Sequence, residues 1–362
     1  MYRQEAQELD DLLEHCKAEN GRLQADLMNE RARLERTMRS ADQMQSAMDN
    51  RESFLGEQAN DEEVCGMFDK LTNDIKTWST NFSGGSANTL SESDFPDYQR
   101  VVPNYTEIGH LNKILTVKKQ KRLFVRGWTA YVVCTLLNRS LDLPPVGDLG
   151  EDVWLNQAVA DNFRCLENQL WLSGERLHNS DRVQNHTEKA DRKAISYKSF
   201  NDWRAFTAEL LGKAALAQGK RPVDEAEIRI KKAASKVMNV VSAWHKSGAI
   251  EDLKAHEREL HRVLTDAVHF AQFLRRQRAL WSIRFPSRPS LPDGMGTPHL
   301  MFNPVTMQDQ RDDDEGGGEE LKNRYVQLIA MPALYKRGNM NGELFESEEA
   351  VRLAQVVLVS PS

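Results

Sequence analysis

The sequence predicts a mainly α protein in three parts: an N-terminal coiled-coil helix, a multi-helix globular domain, and a short C-terminal antiparallel β segment packed on it. Three observations lead there. A seven-residue apolar repeat occupies the N-terminal stretch, residues 6 to 55. From 61 to 285, apolar residues recur at spacings of three and four, the wider face of helices that share a core. After residue 323, two runs of β-branched and large apolar residues flank a turn signal. The expected boundaries are 1–60 for the coiled coil and 61–285 for the helical domain, with a flexible loop at about 83–104. A disordered Pro/Gly-rich and acidic linker at 286–322 and the β segment at 323–362 complete the chain.

In the first part, the a positions of the repeat are Ala6, Leu13, Asn20, Leu27, Leu34, Ala41, Met48 and Leu55. The d positions are Leu9, Cys16, Leu23, Glu30, Thr37, Met44 and Arg51. Seven of the eight a residues and four of the seven d residues are apolar or small. A stripe this narrow suits a coiled-coil seam better than a globular core. The expected interface comprises Leu9, Leu13, Cys16, Asn20, Leu23, Leu27 and Leu34. Asn20 at an a position fixes register and favours a parallel pair, at some cost in stability. Asp26 at g and Arg31 at the next e attract across such a pair, whereas Glu5 and Asp10 repel. Beyond Leu27 the seam weakens at Glu30, Thr37 and Arg51. The competing expectation is a lone solvated helix, or one that folds back onto the rest of the chain.

The helical domain opens with Val64, Phe68, Leu71, Ile75, Trp78 and Phe82 on one face. The stretch SGGSANTLSESDFPDYQRVVPNY then reads as a long loop, mobile in its Ser-rich half. Ile108, Leu111 and Leu115 mark a short helix before a longer one that runs to about Leu141 and is broken by LPPVG. Further helices are marked by Phe163 and Leu170, by Trp203, Phe206 and Leu211, and by Ile228, Val237 and Val241. A last long helix is expected at roughly 249–284. The seven tryptophans are spread along these helices, which reads as core anchoring. Beyond the linker, RYVQLIAMPAL and EAVRLAQVVLV are nearly continuously apolar and surround Asn341-Gly342, a turn signal. They read as paired strands lying against the helices.

Residues 118–137, KKQKRLFVRGWTAYVVCTLL, join a basic cluster to an apolar run. From Gly127 to Leu137 the run has 11 residues, against the roughly 20 a membrane-spanning helix needs, so it reads as a central core helix. Lys118, Lys119, Arg122 and Arg126 fall within about 100° of arc at its N-terminal end, where cations oppose the helix dipole. Helix physics alone would not place a basic stripe there, so these four residues are the candidate contact surface for a partner. The second basic stretch, FLRRQRALWSIRFPSRP, crowds arginines at an expected helix C-terminus, where the dipole favours them. Arginines interleaved with Trp281 and Phe285 also suit a single-stranded nucleic acid or an acidic partner.

A net charge of −6 over 362 residues gives no general attraction to nucleic acid. The four cysteines, Cys16, Cys65, Cys134 and Cys165, form no CxxC pair and read as free thiols of a reducing compartment. MYRQEAQELDD has no apolar h-region, so no secretory signal is expected and the sequons at Asn81, Asn104, Asn138 and Asn185 read as coincidence. Phosphate-cradling glycine motifs are absent, and the glycines at 316–318 sit in an acidic run with no Lys-Ser/Thr after them. HERELH at 256–261 has Leu260 where a zinc protease needs histidine, and His256 and His261 lie about 140° apart on a helix. An EF-hand alignment on Gly316 puts Arg311 and Lys322 where calcium needs carboxylates. No catalytic, cofactor-binding or metal residue is therefore assigned, and no cofactor is expected.

The helix FDKLTNDIKTWSTNF, the segment RLFVRGWTAYVVCTLL and the ending VQLIAMPALYKRGNMNGE…AQVVLV resemble those of an uncharacterised filamentous-fungal family. Its members have an N-terminal coiled coil, a helical domain and a short C-terminal β segment. The resemblance implies this architecture and an intracellular setting. That family has no assigned activity, so no catalytic or binding residue is carried over.

These readings converge on a non-enzymatic cytoplasmic scaffold or adaptor that forms a homodimer, or pairs with another coiled-coil protein, without contacting a membrane. The alternative is a nucleus-associated regulator whose basic stretches bind nucleic acid or acidic partners. A third class is an enzyme with an unmarked pocket in the helical domain.

Overall fold

The computed structural model describes residues 17, 19–32, 35, 38–39, 58–84, 90–137, 155, 157–180, 196–217, 219, 222–247, 249–288, 299–310, 321 and 323–359. The chain divides into two units, Met1–Phe54 and Leu55–Ser362. In the first unit, residues 19–32 form a continuous helix whose every residue is exposed.

The second unit is mainly α, as its periodicity predicts. Among the described residues its helices longer than one turn are α1 (Asp61–Ser79), α2 (Ile108–Ile114), α3 (Lys118–Leu137), α4 (Gln157–Ser180), α5 (Tyr197–Ala217), α6 (Pro222–Val241) and α7 (Ile250–Arg275). Asn60 starts α1 by accepting a 2.8 Å hydrogen bond from the Glu63 N–H, and three acidic residues occupy its first turn, favourable to the dipole. The predicted stripe Val64, Phe68, Leu71, Ile75 and Trp78 is buried throughout. Every residue of α3 from Leu123 to Cys134 is buried, because α1, α6, α7 and the strand β3 (Val326–Met331) surround it. It is the central helix that its all-round apolarity implies. Trp78, Trp128 and Trp244 are fully buried in the same core.

The stretch expected to be a flexible loop at 83–104 is packed in its described C-terminal part. Phe95–Tyr98 makes one helical turn, and Tyr98, Val101 and Val102 are buried. Tyr98 packs edge-on against Phe124 and Trp128, and the Val101 carbonyl accepts a 2.8 Å bond from the Ile329 N–H. Asn104 extends the seam: its amide donates to the carbonyls of Leu300 and Val326 and its oxygen accepts from the Leu300 N–H.

The last helix ends earlier than expected. α7 stops at Arg275, and the strand β1 (Leu280–Arg284) follows. The side chain of Arg204 in α5, 2% exposed, holds the connection that follows: its Nη2 donates to the carbonyls of Gln277, Arg278 and Ala279. Three carbonyls buried in the turn between α7 and β1 thereby gain a donor. Gln58 and Ala59 close the other side through bonds to Arg276, Gln277 and Arg278.

The β part is larger than a single short segment. Besides β1 and β3 it contains β2 (Met307–Asp309), β4 (Ala333–Arg337), β5 (Glu348–Arg352) and β6 (Ala354–Leu358), in two three-stranded sheets of order β1-β4-β5 and β2-β6-β3. The pairings of these strands are antiparallel except that of β2 with β6. The two predicted apolar runs form one long hairpin that changes sheet halfway. Pro332, which has no N–H to give a ladder, separates β3 from β4, and Leu353 separates β5 from β6. The turn holds Gly342 at φ 74°, as the Asn-Gly signal predicts. β3 and β6 have buried residues on both faces: Leu328 and Val357 join the main core, while Ile329 and Val356 join a second cluster with Leu300, Phe302, Met307 and Leu321. That accounts for their unbroken apolarity. It also corrects the expected linker at 286–322, since β1 hands over to residues 299–310 that carry this cluster and β2. The acidic run at 311–320 lies outside the described residues.

Candidate functional site

Of the expected coiled-coil interface, Asn20, Leu23 and Leu27 lie on helix 19–32, and Leu9, Leu13, Cys16 and Leu34 lie outside the described residues. Leu23 and Leu27 are one turn apart and 57% and 54% exposed. Two leucines that share a helix face and remain in solvent leave apolar area available for a partner. Gly21 stands beside them with no atom within 4 Å of where its Cβ would be.

The basic lead-in of α3 is sorted by depth. Lys118 and Lys119 are exposed, Arg122 is half-buried and Arg126 is buried. Lys121 turns to the other side, where its Nζ donates to the Gly84 carbonyl at 3.2 Å and lies 5.7 Å from the Trp244 ring centre. Arg126, 6% exposed, donates from Nη1 to Gln310 Oε1 at 3.1 Å, and Gln310 in turn donates to Gln355 Oε1. The Nε atoms of Arg122 and Arg126 are both buried without an acceptor among the described residues. Neither guanidinium is paired with a carboxylate there. Burial, then the Arg122 charge, hold Arg126 below the ordinary arginine value.

The second basic stretch has a different fate. Arg275 meets Glu167 at 2.8 Å in a pair that is 6% and 1% exposed, with Phe163 beneath the guanidinium at 5.0 Å. Arg276 pairs with Glu209 at 3.1 Å, Arg278 with Asp202 at 2.8 Å and Arg284 with Glu348 at 2.8 Å. These arginines join α7 and β1 to α4, α5 and β5, and their charge is compensated within the fold.

The histidines of HERELH face different neighbours. His256 lies with its ring 5.0 Å from that of His245 and 6.0 Å from Phe82, and its Nδ1 is 3.3 Å from Glu259 Oε2. Burial, reinforced by His256, pushes His245 below the ordinary imidazole value. His261 instead reaches Glu227 at 3.4 Å. Among the described residues no group of three or more His, Cys, Asp or Glu is arranged to hold a metal ion.

A groove of about 660 Å³ runs between α6 and α7, with Lys231, Lys254, Arg258 and His261 among its lining residues beside Glu251 and Glu257. Sequence reasoning does not find it, because its two walls come from different helices whose charged residues read singly as solvated faces. Lys231 bridges to Glu227 at 3.1 Å and Lys254 to Glu251 at 3.5 Å, so most of its charge is balanced locally. The hydrogen bond from Lys231 holds Glu227 below the ordinary carboxylate range.

No helix of the described residues is long and apolar enough to cross a membrane. Comparison with protein-family models, with curated proteins and with solved structures gives no match in any of the three.

Proposed function

We propose that this chain is a non-enzymatic scaffold or adaptor of the cytoplasm that self-associates in parallel through its N-terminal helix and presents the body formed by residues 55–362 to a further partner. The observation that carries this reading is the pair Leu23 and Leu27, exposed on consecutive seam positions of helix 19–32. Burying a leucine fully stabilises by roughly 1.5–3 kcal/mol, so four such side chains per dimer are a substantial drive. Asn20 favours a two-stranded, parallel register, and Asp26 and Arg31 are placed to pair between chains.

Sedimentation of the full chain over a range of concentrations tests it. A dimer is expected for the wild type and a monomer for Leu23→Asp/Leu27→Asp; equal masses would end the proposal. Gly21→Ala, outside the seam, should tighten the dimer. Replacing a mid-helix glycine gains about 0.5–1 kcal/mol per chain. Over two chains that lowers the dissociation constant roughly 5- to 30-fold.

A further inference from the structure

We propose that Arg122 and Arg126 form a binding site for the dianionic phosphate group of a phosphate monoester. The two residues are four apart on α3, so their Cα atoms are separated by about 6 Å of helix rise and their side chains share a face. Arg126 is buried, yet among the described residues its guanidinium hydrogen-bonds to the neutral Gln310 alone. A buried cation is ordinarily matched by a carboxylate, as Glu167 matches Arg275 in this same chain. Here a second cation, Arg122, stands one turn away instead.

The charge of the site selects its ligand. Two guanidiniums with no described carboxylate paired to them ask for two negative charges on neighbouring oxygens. One carboxylate group brings a single charge, whereas a phosphate monoester brings close to two and offers three oxygens to the planar forks. The depth gradient gives the orientation. The phosphate oxygens would meet Arg126 and Arg122, while the esterified group would lie toward Lys118, which is exposed one further turn back. Gln310 holds Arg126 through Nη1 and fixes the fork before any ligand arrives.

Calorimetric titration of the full chain tests the assignment at constant ionic strength, with chloride as the reference anion. Inorganic phosphate and phenyl phosphate are the two probes, and the tighter one tells a free from an esterified source. Saturable binding of at least one is expected, weakened about tenfold or more by Arg126→Met, which removes a charge-assisted hydrogen bond. Arg122→Met, at the half-exposed position, should weaken it as well and serves if the Arg126 variant does not fold. Arg258→Met in the α6–α7 groove should leave it unchanged. Loss of binding in Arg258→Met with retention in Arg126→Met would place the anion in the groove and overturn the proposal. Absence of binding to the wild type overturns it too. In that case, binding gained only on Asp312→Asn/Asp313→Asn/Asp314→Asn would identify the arginines as a seat for the chain's own carboxylates.

Discussion

Helix and strand approach each other very closely at Gly127, where α3 crosses β3. A Cβ added there would meet Val101 Cγ1 at 2.7 Å and the Ile329 carbonyl oxygen closer still. Carbon atoms prefer about 3.5–4.0 Å, so Gly127→Ala must separate helix and strand by about 1 Å. Neither neighbour has room to retreat, since Val101 and Ile329 are both fully buried. The Ile329 N–H also holds the Val101 carbonyl at 2.8 Å, so a shift of the strand strains that bond. Overpacking costs about 1–3 kcal/mol, and weakening one hydrogen bond adds up to about 0.5–1.5 kcal/mol. Against this, alanine gains about 0.8–1 kcal/mol over glycine in a helix interior. The net expectation is a loss of roughly 1–3 kcal/mol.

Gly66 supplies the internal control. It lies within α1, is exposed, and a Cβ there would meet nothing within 4 Å. Gly66→Ala should therefore stabilise by about 0.5–1 kcal/mol. Urea unfolding followed by circular dichroism should move the two midpoints in opposite directions from wild type. If Gly127→Ala shifts upward with Gly66→Ala, then α3 does not pack on β3 through Gly127 and the close approach is refuted.

Two further outcomes follow from buried ionisable groups. His245 titrates below its unfolded value of about 6.5, so the unfolded chain binds the extra proton first and stability falls as pH drops below that value. Comparing urea midpoints at pH 7.5 and 5.5, His245→Gln should lose less stability on acidification than wild type, and an identical loss would clear the imidazole of that role. Glu167→Leu leaves Arg275 buried without its carboxylate and should cost about 3–5 kcal/mol, whereas Glu167→Leu/Arg275→Met should recover most of it. A double variant no better than the single one would mean that the site depends on the charges themselves.

The helices are legible in the sequence because their cause is local. Val64 through Trp78 repeats at helical spacing, and each member of that stripe is buried where the repeat puts it. Asn341-Gly342 likewise announces a turn that the backbone makes at φ 74°. The end of α7 is not legible, since the residues from 276 to 284 extend the helical pattern. The turn that follows the helix is held by Arg204, 73 residues before Gln277, whose carbonyl it takes. β2 is three residues long and exists through its parallel pairing with β6, so its signal lies some 45 residues away from it. A pairing partner at that distance leaves no trace in a local window.

The same distinction separates the two basic stretches, which look alike in composition. A run of arginines is structural when the fold returns a carboxylate to each, and those carboxylates come from anywhere in the chain. For Arg275, Arg276, Arg278 and Arg284 they come from residues 167, 209, 202 and 348, on three helices or strands other than their own. Local charge counting therefore suggests for that stretch an excess of positive charge, which the fold pairs with carboxylates. Arg122 and Arg126 pass through the same folding process and receive, among the described residues, only the amide of Gln310. Burial without a counter-charge is costly, and a fold able to place Glu167 under Arg275 is able to place one here. The arginines worth pursuing as contacts are thus those that folding leaves uncompensated, and they are found by asking where the carboxylates go.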